Sequence, residues 1–100
     1  DVSQGTIYRG RNGRDLICQI QSDLGLETPL VLCAPVVSRT ALPDLMKKLH
    51  LPIDLNGEPM VILMSQMAAL PDAALGEVVG SAKHLRDEMI SAVDLLVSGF

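Results

Sequence analysis

Residues Leu49–Leu63 read LHLPIDLNGEPMVIL. Leu49, Leu51, Ile53 and Leu55 fall on one face of an extended chain, and His50, Pro52 and Asp54 fall on the other. Period-two alternation of this kind marks a strand with one face buried. Asn56-Gly57 follows at once, the dipeptide that best tolerates the positive φ angles of a two-residue hairpin turn. PMVILMSQM (residues 59–67) then reads as the returning strand. This stretch therefore predicts an antiparallel hairpin.

Upstream, the same signals recur. TIYRG and DLICQIQS flank RGRNGR, so residues 6–9 and 15–21 form a hairpin turned at Asn12-Gly13, with Leu16, Cys18 and Ile20 on one face. SDLGLETP is a loop carrying Leu24 and Leu26. LVLCAPVV is apolar on both faces, as a fully buried strand is. Pro35 interrupts its ladder, which points to an edge or a bulge. SRTALPDL is turn-like, with one helical turn after Pro43, and the polar-face position of His50 predicts an exposed ring. Downstream the period changes near residue 70. PDAALGEVVG reads as a short helix capped by Asp72. SAKHLRDEMISAVDLLVSG reads as the main helix, with Ala82, Leu85, Met89, Ala92, Val93, Leu96 and Val97 at spacings of three and four. Ser81 stands where it can cap the start, and Gly99 where a left-handed residue ends a helix. Strands first and one helix last make an α+β fold: a twisted antiparallel sheet or small barrel with the helix packed on it.

The 100 residues suit a single domain spanning 1–100. Apolar residues make up 48%, yet only Tyr8 and Phe100 are aromatic. That aliphatic surplus is either a plain core or a surface covered by a second subunit. The net charge of −4 argues against direct nucleic-acid binding, which needs a positive field. Against that background Arg9, Arg11 and Arg14 cluster at the first hairpin tip, a pattern suited to an acidic peptide. Cys18 and Cys33 lie in strand-like runs without metal-ligand spacing and read as buried, reduced thiols; a disulfide would need paired strands with suitable Cβ geometry. No metal or cofactor motif and no membrane-spanning or signal segment is visible, so a cytoplasmic protein is expected. The chain begins at Asp1 without a methionine, so a trimmed or lost N-terminus is expected.

No catalytic motif stands out. Small ribonucleases can work with an arginine and one acid or base, and Arg39 with Asp44 or His50 offers such a pairing, a signal too weak to count as positive evidence. Three features point to binding instead: the arginine tip, the Leu24-Gly25-Leu26 loop, and the final Ser98-Gly99-Phe100. A terminal aromatic either plugs a core or anchors a partner.

These pieces resemble the CcdB-type toxins of type II toxin–antitoxin modules. QIQSDLGLETP is similar to their V-Q-S-D-[LI]-[LI]-[DE]-x-P stretch, and PVVSR to the P-L-A-S-A that follows. DLNGEPMVILMSQMAALP resembles h-I-[GN]-G-[ED]-x-[WYF]-h-h-x-[TS]-x-x-[ML]-A-x-[VI]-P, with h an apolar residue. LRDEMISAVDLLVSGF resembles the closing R-[ED]-x-I-x-x-A-[IL]-[ND]-x-[LM]-F-x-G-[IF]. The match runs in the same order from about residue 6 to the end. The resemblance implies an SH3-like, partly open barrel with a C-terminal helix, forming a homodimer. It implies a non-enzymatic poison that binds the DNA gyrase A subunit and traps it on cleaved DNA, the kind of toxin that supports plasmid maintenance. A partly disordered, acidic, CcdA-like antitoxin would neutralise it. Carried over by position, gyrase contact falls on Asp94, Val97, Ser98, Gly99 and Phe100, with Leu24 and Gly25 in support. The chain departs from the best-characterised members at three of these. Ser98 stands for Trp, Asp94 for Asn, and Gly25 for a bulky apolar residue. Two rival expectations follow: a retargeted or inactive relative that still dimerises and binds antitoxin, and an endoribonuclease toxin on the same barrel.

Overall fold

The structure, a computed structural model, describes residues 3–22, 29–42, 46 and 48–99. Seven strands and one helix organise them: β1 (Thr6–Gly10), β2 (Leu16–Gln19), β3 (Leu30–Ser38), β4 (His50–Leu55), β5 (Glu58–Leu63), β6 (Ala68–Pro71), β7 (Leu75–Ser81) and α1 (Arg86–Ser98). The strands lie in the order β4-β5-β3-β2-β1-β7, with β6 also paired to β3, and every pairing is antiparallel. The result is an α+β open barrel: a single twisted sheet, not closed by hydrogen bonds, with one C-terminal helix.

The Asn56-Gly57 hairpin forms as expected. Asn56 takes φ 55° and Gly57 φ 87°, both in the left-handed region that such a turn demands. Leu55 pairs with Glu58, and Asp54 Oδ1 accepts the Gly57 N–H at 2.7 Å, fastening the turn from outside. β5 ends at Leu63, and Met64–Gln66 form a 3₁₀ turn leading to β6. The first hairpin pairs Ile7 with Cys18 and Arg9 with Leu16, so Asn12-Gly13 sits within a longer loop rather than making the whole turn. β2 ends at Gln19, two residues short of the expected strand.

Three expectations need correction, and one falls outside the described residues. Residues 75–81 are strand, not helix: Leu75–Ser81 pair with β1, and only Asp72–Ala74 make a 3₁₀ turn, which Asp72 does not cap. Val78 and Val79 are β-branched and Gly76 and Gly80 are poor helix formers, while the free edge of β1 supplies a partner. Pro35 lies in a central strand, not at an edge or bulge. β3 pairs with β6 through Cys33 and with β5 from Val36, so the proline falls between its two partners. Leu32 directs both its N–H and C=O toward the β2 end, and by alternation Pro35 faces the other way, where no N–H is required. A 3₁₀ turn occurs at Arg39–Ala41, where Ser38 Oγ accepts the Thr40 N–H; residues 43–45, where a helical turn was expected, lie outside the described residues. His50 is buried, and its Nδ1 accepts the Met46 N–H at 3.0 Å.

The main core lies between one sheet face and α1. Ile7, Cys18, Ile20, Val36, Leu51, Ile53, Ile62 and Met64 meet Met89 and Ala92 of the helix there. The opposite face carries a smaller cluster of Tyr8, Ile17, Val31, Cys33 and Leu75. Ser81 Oγ accepts the Lys83 N–H, opening the 3₁₀ turn Lys83–Leu85 that leads into α1.

Candidate functional site

The helix positions the first part of the site. Met89 and Ala92 are buried, but the apolar stripe outlasts the core: Ile90 and Leu96 are exposed, and Val97 is 81% exposed. Gly99 ends the helix in the left-handed region, φ 84°, and its N–H donates to Leu95 C=O at 2.9 Å. Ser98 Oγ donates to Asp94 C=O at 2.7 Å, and Asp94 itself is exposed. Leu24, Gly25 and Phe100 lie outside the described residues.

A cleft of about 210 Å³ joins α1 to the end of the β2–β3 pair. Ser22, Ile20 and Leu32 line one side, and Ile90, Val93 and Asp94 line the other. The backbone around it is tied down by glutamines. Gln21 accepts the Leu32 N–H on its side-chain Oε1 at 3.1 Å and donates its own N–H to Leu32 C=O. Gln4 donates through Nε2 to Ile20 C=O at 3.1 Å and receives Arg86 Nε at 3.1 Å. Behind them, the buried Tyr8 hydroxyl donates to Gln19 Oε1, and Gln19 Nε2 donates to Gln21 C=O. Sequence reasoning missed Gln4, Ile90 and Arg86. Gln4 and Arg86 meet across 82 positions, and no local pattern signals such a pair.

The arginine tip lies at the end of the β1–β2 hairpin. Asn12 Oδ1 accepts the N–H groups of Arg14 and Asp15, and its Nδ2 donates to Asp15 Oδ2 at 2.6 Å. Arg11 N–H reaches Ala74 C=O at 3.0 Å, docking the loop on the turn before β7. The loop is thus shaped by its own polar groups, and Arg11 and Arg14 stay exposed. Arg9 Nε stands 3.7 Å from Glu77 Oε1, an exposed pair of little energetic weight.

Of the two ribonuclease-like pairings, only Arg39 with His50 falls among the described residues, and there the two side chains bond to the backbone instead. Arg39 Nη1 donates to Leu42 C=O at 2.7 Å, His50 Nδ1 is taken by a backbone N–H, and Asp44 lies outside the described residues. Among the described residues no group of three His, Cys, Asp or Glu side chains could hold a metal ion, and no helix is long and apolar enough to cross a membrane. Cys18 and Cys33 are free and buried. Cys18 pairs with Ala34 and Cys33 with Gln19, so the thiols lie one step out of register on opposite faces and cannot be bridged. Burial pushes the Cys18 thiol up to about 12, with a smaller contribution from Cys33, and pushes Cys33 up to about 11.

The family model described as CcdB protein matches residues 4–99. No curated protein matches the chain. With nearly the whole chain matched, and with an open antiparallel sheet carrying its helix at the end of the order, the protein belongs to the CcdB family of toxins from toxin–antitoxin systems.

Proposed function

We propose that this chain is a homodimeric, non-enzymatic toxin that binds the A subunit of DNA gyrase and traps it on cleaved DNA. The binding end is the last turn of α1 (Asp94, Val97, Ser98, Gly99), continued by Phe100 and flanked by Leu24 and Gly25. The observation that carries this reading is the cleft between Ser22 and Asp94, whose apolar rim runs on to an almost fully exposed Val97. An aliphatic rim beside a helix end closed by a left-handed glycine suits insertion into a protein partner better than bond-making chemistry. Exposed Leu96 also offers apolar area that a second copy can cover across a two-fold axis. Arg9, Arg11 and Arg14 are the contact for an acidic, CcdA-like antitoxin that orders on binding.

The test is capture of purified gyrase A subunit by the intact chain and by a chain lacking residues 98–100. Capture by the first and not the second, at matching thermal midpoints, supports the reading. Equal capture by both removes the proposed binding end.

A second reading, a relative that folds and binds antitoxin but no longer poisons gyrase, is favoured by Ser98. Its hydroxyl is turned back onto the helix, where the resemblance expects an indole, and loss of such a ring costs about 2–4 kcal/mol at an interface. Gyrase capture that appears only on Ser98→Trp supports this second reading.

A further inference from the structure

We propose that Gln4 is a positioning residue for the cleft between the end of β2 and α1, holding its two walls at the separation a partner meets. The inference rests on the proposed binding end and names what presents it.

Gln4 lines the cleft of about 210 Å³, and its side-chain amide bridges the two walls. Nε2 donates to Ile20 C=O on the β2 side at 3.1 Å, and Oε1 accepts Nε of Arg86, the first residue of α1, at 3.1 Å. The neighbouring backbone repeats the bridge. Gly5 N–H donates to Gln19 C=O at 2.8 Å, and Gly5 C=O accepts the Ala82 N–H at 2.6 Å. Gly5 also packs so closely on Lys83 that an added Cβ would stand 2.9 Å from its Cα. Two residues ahead of β1 thus key the approach to α1 against the strand end.

The two halves of this bracket do different things. The backbone half holds the fold, together with Met89 and Ala92 of α1 in the core. The side-chain half joins an exposed Arg86 to a partly buried Gln4, so it adds little to the core and sets instead how far Ile20 stands from the helix. A planar amide suits that task, since it offers a donor to a carbonyl and an acceptor to a guanidinium at one fixed spacing. A cleft already held in its bound shape spares a partner the cost of ordering it. Without the bridge only a fraction of chains present that shape, and apparent affinity falls by that fraction, first in the association rate.

The test reads cleft width and binding separately. Nitroxides attached at Ser22→Cys and Asp94→Cys report the width by electron paramagnetic resonance, because the native Cys18 and Cys33 are buried. Capture of purified gyrase A subunit is measured on chains without labels. Gln4→Ala should shift and broaden the distance distribution and weaken capture about tenfold, chiefly through slower association. Arg86→Ala should do the same, and the double variant should be no worse than either single one, as expected of two ends of one bridge. A merely structural role would lower the thermal midpoint and leave the distance in place. Should Gln4→Ala fail to fold, Arg86→Ala, at an exposed position, decides alone. An unchanged distance distribution overturns the proposal whatever the affinity, and a changed distribution with full gyrase affinity overturns it too. Failure of the unsubstituted chain to capture the gyrase subunit removes the binding-end reading instead; a distribution that still shifts on Gln4→Ala then supports the positioning role, and one that stays overturns it.

Discussion

Cys18 and Cys33 sit on adjacent strands, one 0% and the other 2% exposed. Neither should react with a disulfide reagent in the native state, and both should react on unfolding, which thiol titration with and without denaturant checks. Their raised ionisation also sets a pH dependence. Below 9.0 both forms of the chain keep the thiols protonated, and the contribution is fully present. Above 9.0 the unfolded chain loses protons that the folded chain retains until about 11 and 12, so stability falls as pH rises through that window. By about pH 10 the two thiols together should cost ~3 kcal/mol, seen as a loss in urea-unfolding free energy that a Cys18→Ala, Cys33→Ala variant does not share. Gly76 is constrained for another reason. A Cβ there would stand 2.5 Å from the Arg9 carbonyl oxygen, so strand β7 can approach β1 only with a glycine at that point. Gly76→Ala should destabilise by about 1–3 kcal/mol in chemical denaturation, through displaced backbone rather than lost contacts.

At the scale of elements, α1 is a helix of unequal halves. Its first turns are core and its last turn is surface, so Met89→Ala should cost about 2–5 kcal/mol while Val97→Ala stays within about 0.5 kcal/mol by thermal or urea unfolding. Periodicity revealed the helix because apolar side chains at spacings of three and four remain visible whether or not the stripe is covered. It did not distinguish the covered half from the free one, since Leu85 and Val97 look alike until the sheet is in place. The β4–β5 hairpin was legible for a related reason: Asn56-Gly57 and strict alternation are both local. Strand β7 was not. Its Val78 and Val79 carry no alternation, and it is a strand because β1 has an open edge beside it, a fact set by residues some seventy positions away. Pro35 was legible as an interruption but not as a change of partner, because the exchange of β6 for β5 depends on the path of the chain between them. His50 illustrates the same limit, an imidazole on the polar side of its strand that the Met46 N–H draws into shelter.

For the whole molecule, family membership was readable from motifs spread along the chain, and the fold followed. The site was readable only in part. Asp94, Val97, Ser98 and Gly99 share one helix end and could be grouped by position. The cleft that sets Ser22 against Asp94, and the Gln4, Gln21 and Arg86 bonds that brace it, arise only when distant segments meet. Because the last turn of α1 contributes little to the core, removal of residues 98–100 should leave the thermal midpoint nearly unchanged in scanning calorimetry. Charge reversal at Arg11 and Arg14 should likewise spare stability and weaken an acidic antitoxin complex, most strongly at low salt in titration calorimetry.

The outermost strands of the ladder, β4 and β7, come together without a ladder between them among the described residues. The Leu55 side chain lies so close to Gly80 that an added Cβ would clash with Leu55 Cδ1. At this point the sheet closes through side-chain packing, a seam rather than a weld. Among the described residues the backbone facing this seam has no ladder partner, whereas β1 and β2 lie inside paired ladders on both sides. Hydrogen–deuterium exchange should accordingly run from the outside inward: fast along the free sides of β4 and β7, and slowest in β2 and the middle of β1. Gly80→Ala, which pushes Leu55 aside, should accelerate exchange at those two strands before it changes the exchange of the strands between them.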